Sequence, residues 1–227
     1  MNKALLCSIL LALAAGAAGA QTQPSTAPAT PAAASAAAPI ETKIAACIGC
    51  HGIKGYQASF PEVHKVPMIS GQNAKYVASA LAAYKKGERK HPTMRAIAAS
   101  LTDQDMAEIA AYYEQHGKDA TPLPDQAAPA AADVAALLTK GACVSCHGTN
   151  FNKPIDGSYP KLAGQHADYL YAALRAYGTE GNPQVGRGNA IMVGQVKPFS
   201  HLELKAIANY IATLPSDLHT VPQAKFR

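Results

Sequence analysis

The chain has no tryptophan, only four phenylalanines in 227 residues, and charged side chains at 15% of positions. Its hydrophobic share of 48% overstates the apolar content, because much of it is alanine, which buries little area per residue. Beyond the first twenty positions there is no run of 18 or more apolar residues, which excludes a bundle of membrane-spanning helices. There is no block of Lys or Arg either. The formal charge of +5 is spread along the chain, which argues against a nucleic-acid binder. Nucleophile-elbow, H-E-x-x-H and glycine-rich phosphate-loop patterns are all missing, so no constellation suggests catalysis. No alternating apolar–polar stretch is long enough for a sheet. The expected class is all-α.

What is present begins with an export signal. Residues 1–20 carry Lys3, then an apolar run from Leu5 to Leu13, then small residues ending Ala18-Gly19-Ala20, with cleavage expected after Ala20. Cys7 leaves with the signal. Loss of Lys3 takes the formal charge from +5 to +4. Residues 21–39 are almost entirely Ala, Pro, Thr and Ser and read as a disordered tether with nothing to bury.

The four remaining cysteines stand in two identical patterns. Cys47-Ile48-Gly49-Cys50-His51 and Cys143-Val144-Ser145-Cys146-His147 are both C-x-x-C-H, the attachment pattern of c-type haem. Cysteines three apart lie about one helical turn apart, so their sulfurs can form thioethers to both vinyl groups of one porphyrin edge. The histidine that follows is carried beneath the ring, within reach of iron. A redox C-x-x-C lacks the histidine, and a Cys2His2 zinc site needs a second histidine close by. With five cysteines and eight histidines in the chain, one chance occurrence is rare and two are far rarer. Two covalent haem c groups are expected.

The two motifs are offset by 96 residues, and other features repeat with them. Pro67-Met68-Ile69-Ser70-Gly71-Gln72 matches Pro160-Lys161-Leu162-Ala163-Gly164-Gln165; Tyr76, Leu81 and Tyr84 match Tyr169, Leu174 and Tyr177. Helical punctuation agrees: Ile40, Ile44 and Ile48 share a face, and Asn73 can cap a helix ending at Gly87. Thr102 with Asp105 and Ser200 with Glu203 read as capped helix starts. Of the methionines, only Met94 and Met192 correspond: each precedes a matched apolar residue (Leu101, Phe199) by seven and a matched tyrosine (Tyr112, Tyr210) by 18. They are the expected sixth iron ligands, opposite His51 and His147, because a thioether favours ferrous iron and raises the potential. Met68 and Met106 read as core packing. None of His64, His91, His116, His166, His201 and His219 forms a matched pair, and surface or capping positions are expected for all six. Tyr76, Tyr84, Tyr169 and Tyr177 are expected to pack around the haems. Lys85, Lys86, Arg89 and Lys90 form the single basic cluster, a solvated helix end or a docking patch.

Two such units in one exported chain, with P-x-L/I-x-G-Q after each motif and a matched methionine before each last helix, resemble the dihaem cytochrome c4 family. The resemblance covers about Ile40 to Leu218 and implies two tandem cytochrome c domains, over 40–121 and 133–227, joined by a linker at 122–132. It implies a pseudo-twofold axis, with haem propionate edges facing each other. It also makes the carbonyls of Pro67 and Pro160 the partners of the His51 and His147 ring N–H. The function it implies is electron carriage in the periplasm, from a quinol–cytochrome c reductase to a terminal haem-copper oxidase, with no enzymatic activity of its own. The chain departs from the pattern by three extra residues between Tyr56 and Val66 and five between Gln165 and Met192. A haem subunit of a periplasmic sulfur-compound dehydrogenase and a dihaem peroxidase stay open as alternatives. Peripheral membrane association and a monomer or weak dimer also stay open.

Overall fold

The computed structural model describes residues 38–118 and 122–223. The export signal at 1–20 and nearly all of the tether at 21–39 lie outside these residues. In chain order the elements are α1 (Ile40–His51), β1 (Gln57–Ala58), β2 (His64–Lys65), α2 (Ala74–Lys86), β3 (Arg89–Lys90), α3 (Pro92–Ala99) and α4 (Asp103–Gln115). These are followed by α5 (Ala132–Lys140), α6 (Val144–His147), α7 (Ala167–Tyr177), β4 (Gly186–Arg187), α8 (Ala190–Val196) and α9 (His201–Ala212). The fold is all-α in two repeated halves. Its only strands among the described residues are two residues long, too short for alternation to register in sequence.

Each half closes over its own core. In the first, Ile44 and Ile48 of α1 meet Val77 and Leu81 of α2 and Met106, Ile109 and Tyr113 of α4. In the second, Leu138 of α5, Leu170 of α7 and Ile207 and Ile211 of α9 surround the fully buried Phe151. Full burial of one such aliphatic side chain contributes about 1.5–3 kcal/mol, so these contacts far outweigh helix propensity. The capping boxes form as expected: Thr102 and Ser200 accept from the backbone N–H of Asp105 and Glu203, whose carboxylates accept in return. Lys43 of α1 pairs with both Asp105 at 2.7 Å and Glu108 at 2.6 Å on α4.

Two helix starts differ from expectation. Asn73 occupies the cap position of α2, yet its side chain makes no cap bond. Its Nδ2 instead donates to the Tyr159 carbonyl of the other half at 3.1 Å, and the first helical N–H, at Ala74, donates to Glu114 at 2.9 Å. The second C-x-x-C-H is not embedded in a long helix as the first is. Ala142 adopts φ 45°, ending α5, and Cys143 opens the four-residue α6. The turn between the two cysteines is still helical, so their spacing survives the break.

The halves share an extensive interface. Strands β3 and β4, one from each half, pair antiparallel with Arg89 opposite Arg187. Those arginines are repeat equivalents, as are Gln72 and Gln165, which exchange hydrogen bonds across the interface. An approximate twofold axis therefore relates the halves. Beyond α9 the chain crosses back over the first half, where His219 N–H donates to the Ser70 carbonyl at 3.0 Å. Gly71 (φ 83°) permits that approach, because a Cβ there would collide with the Asp217 carbonyl oxygen.

Candidate functional site

His51 ends α1 and His147 ends α6, each one residue after the second cysteine of its motif. Both rings are fixed by one contact: Nδ1 of His51 lies 2.7 Å from the Pro67 carbonyl oxygen, and Nδ1 of His147 lies 3.1 Å from that of Pro160. A carbonyl only accepts, so Nδ1 carries the proton and Nε2 keeps its lone pair. Burial pushes both imidazoles below their ordinary range and outweighs the opposite pull of the proline carbonyls. A neutral, oriented imidazole with a free Nε2 is the form that binds iron. Cys47 and Cys143 border the two cores, and burial pushes both thiols up. Neither is the poised thiolate of a redox C-x-x-C.

The two methionines stand in matched places. Met94 is the third residue of α3, where its N–H donates to the His91 ring, and Met192 is the third residue of α8, where its N–H donates to Asn189. Both are half-buried, and Met94 packs on the same core that Cys47 borders. Met192 is not among the described residues packed against the second core. Met106 is buried in the core, as expected.

The histidines divide differently from expectation. His91 caps α3 with its ring, which burial and the neighbouring His64 lower to a pKa of about 4. His116 lies at the end of α4, stacked on Tyr112 and bonded to Ser70. His64 is neither a surface nor a capping residue: it is buried edge-on against Tyr169, 5.6 Å between ring centres.

The basic cluster divides: Lys85 and Lys86 lie exposed in the last turn of α2, as a solvated helix end would, whereas Arg89 is drawn into the interface. Arg89 points inward, Lys90 Nζ donates to the Asn182 carbonyl at 2.6 Å, and Lys85 Nζ donates to that of Leu101. Arg89 joins Arg187 and the four repeated tyrosines at the interface between the halves. Its guanidinium donates to Tyr76 OH at 3.1 Å and Tyr169 OH at 2.7 Å and lies over the Tyr84 ring. Arg187 donates to the same Tyr169 OH at 3.1 Å and lies over the Tyr177 ring. Burial pushes the Tyr169 phenol up, but the two guanidinium groups more than offset this and hold it below its ordinary range.

Like charges directly opposite one another on paired strands destabilise a sheet, and buried cations need a counter-charge. Among the described residues neither arginine has a carboxylate partner, and Arg89 Nε is buried without a hydrogen bond. Such a site suits an anion, and haem propionates are carboxylates of that kind. Imidazole, cysteine pairs and buried cations together fit haem in both halves. The arginine pair escaped the sequence reading, although a signal was there: each arginine precedes its matched methionine by five residues.

Fold and site define a c-type haem protein with two attachment centres. The family model for cytochrome c matches the chain twice in tandem, over residues 40–116 and 131–215. Among curated relatives, a thiosulfate dehydrogenase electron acceptor from Stutzerimonas stutzeri is 36% identical over 183 residues, 74% of this chain and 79% of that one. Cytochrome c4 from the same species is 30% identical over 189 residues, 76% and 86% of the two chains. The crystal structure of reduced recombinant cytochrome c4 from Pseudomonas stutzeri superposes with a TM-score of 0.54 at 28% identity, covering 78% of this chain and 97% of that one. The chain belongs to the cytochrome c family, in its dihaem cytochrome c4 branch. It is an electron carrier holding two covalent haem c groups on Cys47, Cys50, Cys143 and Cys146.

Proposed function

We propose that the protein is a periplasmic relay that takes electrons from a quinol–cytochrome c reductase and delivers them to a terminal haem-copper oxidase. In this reading His51 and Met94 hold one iron, and His147 and Met192 hold the other. The observation that carries it is the duplicated histidine geometry, in which each Nδ1–H is spent on a proline carbonyl and each Nε2 is presented for ligation. Bound haem supplies a one-electron ferric–ferrous couple. The chain's own residues do the rest. His51 with Met94, and His147 with Met192, would hold the two irons and leave neither open to peroxide. The apolar cores would keep water from the haems, and Arg89 and Arg187 would supply positive charge for haem carboxylates. Among the described residues no helix is long and apolar enough to cross a membrane, in keeping with a carrier that shuttles.

A redox titration of the holoprotein followed by visible spectroscopy tests this reading. Two one-electron steps are expected, with the far-red thioether-to-iron band of the oxidised protein accounting for both haems. Turnover of peroxide by the resting protein would overturn it.

A second reading differs only in the donor. The 36% identical relative is named as the electron acceptor of a thiosulfate dehydrogenase, which favours a sulfur-compound dehydrogenase in that place. Stopped-flow reduction by each donor separates the two: the physiological one reduces the protein faster at equal concentration and ionic strength.

A further inference from the structure

The Gly-Gln pair that follows each proline in the repeat is not needed for haem attachment or ligation, yet both glutamines are buried, at 4% and 3% exposure. Each reaches into the other half. Gln165 Oε1 accepts from the Met68 N–H at 3.0 Å, and its Nε2 donates to the Met68 carbonyl at 2.9 Å. Gln72 does the same to Lys161: Oε1 accepts from its N–H at 2.9 Å, and Nε2 donates to its carbonyl at 3.0 Å. The N–H of Met68 and the carbonyl of Pro67 belong to one planar peptide group, and that carbonyl accepts from His51. A continuous chain of hydrogen bonds thus runs from the Gln165 amide through the 67–68 peptide to the His51 ring. Its mirror image runs from Gln72 through the 160–161 peptide to His147.

The far end of each chain is anchored at home. Gln165 Oε1 also accepts from the His166 N–H at 3.1 Å, and Gln72 Oε1 from the Asn73 N–H at 3.0 Å, at the starts of α7 and α2. A peptide whose N–H is engaged is a better acceptor at its carbonyl, because hydrogen bonds in series polarise one another. A stronger acceptor draws the ring proton and makes Nε2 a stronger donor.

We infer that Gln72 and Gln165 are crossed positioning residues, each setting the orientation and basicity of the proximal histidine in the opposite half. Each centre's proximal histidine is thereby set by the fold of the other half. This rests on His51 and His147 being iron ligands, which the haem-bound imidazole resonances of the unsubstituted protein test on their own.

The test is Gln165→Met and Gln72→Met in the full holoprotein, read by a redox titration followed with paramagnetic proton NMR, so that each potential is assigned to its haem. Gln165→Met raises the potential of the haem on Cys47 and Cys50 and moves the His51 ring resonances, with the other centre near its original values. Gln72→Met does the reverse. A local packing role predicts the opposite assignment, each variant disturbing its own half. That outcome, an equal shift at both centres, or no shift overturns the inference. If either methionine variant fails to retain two haems, Gln165→Glu decides. Its carboxylate still accepts from the Met68 N–H, so a change centred on the His51 resonances supports the crossed positioning, and a change centred on His147 or none at all defeats it.

Discussion

At the scale of single residues, the protein's chemistry rests on a few side chains in fixed places. In the proposed ligation, Met94→Ala or Met192→Ala withdraws the soft ligand that favours ferrous iron. Each variant is expected to lower the potential of one haem and to abolish about half of the far-red absorption, checked by spectroelectrochemistry. Arg89→Gln acts differently, because it removes a cation at the interface between the halves rather than an iron ligand. A positive charge in a poorly screened place stabilises the reduced state, on the order of 1 kcal/mol per haem. Both potentials are therefore expected to fall in this variant. A fall at one centre alone would show that Arg89 serves a single haem. The attachment cysteines were legible in sequence because covalent attachment dictates an unusual spacing. The arginines were hidden because, in sequence, Arg89 sits among lysines and looks like a surface charge.

At the scale of elements, the helices follow local rules and the departures come from neighbours. Thr102 and Ser200 cap α4 and α9 with reciprocal boxes. Thr102→Ala and Ser200→Ala are each expected to cost about 1 kcal/mol in chemical denaturation. The double variant should come close to the sum, since the caps lie in separate halves. Asn73 shows how a local rule is overruled. Its side chain is suited to capping α2, but the Tyr159 carbonyl of the other half takes its N–H donors, and Glu114 serves the helix start. The break at Ala142 likewise has no sequence signal strong enough to separate α5 from α6, since Gly141 alone marks a possible helix end. The short strands were illegible for a different reason. Two residues cannot show a period.

At the scale of the whole molecule, polar contacts across the interface hold the halves together. Asp168 of α7 accepts from the Lys65 N–H at 3.0 Å and pairs with its ammonium at 3.4 Å. Burial pushes this carboxyl up, but the hydrogen bonds from the Lys65 and Tyr169 amides, with the Lys65 charge, outweigh it and hold the group below its ordinary range. A carboxylate with a depressed pKa contributes stability above its unfolded value and loses it as pH falls through the folded one. The interface contribution should therefore be complete at neutral pH and fade below about pH 4. Thermal melts of Asp168→Asn against the unsubstituted protein test this. The two should differ at pH 6 and draw together as the pH falls below about 4, the range of an ordinary aspartate. A constant difference would show that the contact owes nothing to ionisation.

The sequence by itself determined the cofactor and its number, the repeat, the helical class and the apolar face of the first helix. Thioether attachment, capping and amphipathic periodicity are all written within a few neighbouring positions. Only the tertiary structure decided how the halves meet: which arginines turn inward, which glutamine reaches which peptide, and that a supposed docking cluster is partly interior. Those choices depend on residues some 90 to 100 positions apart being brought together by an approximate twofold axis. No local pattern records where that axis passes.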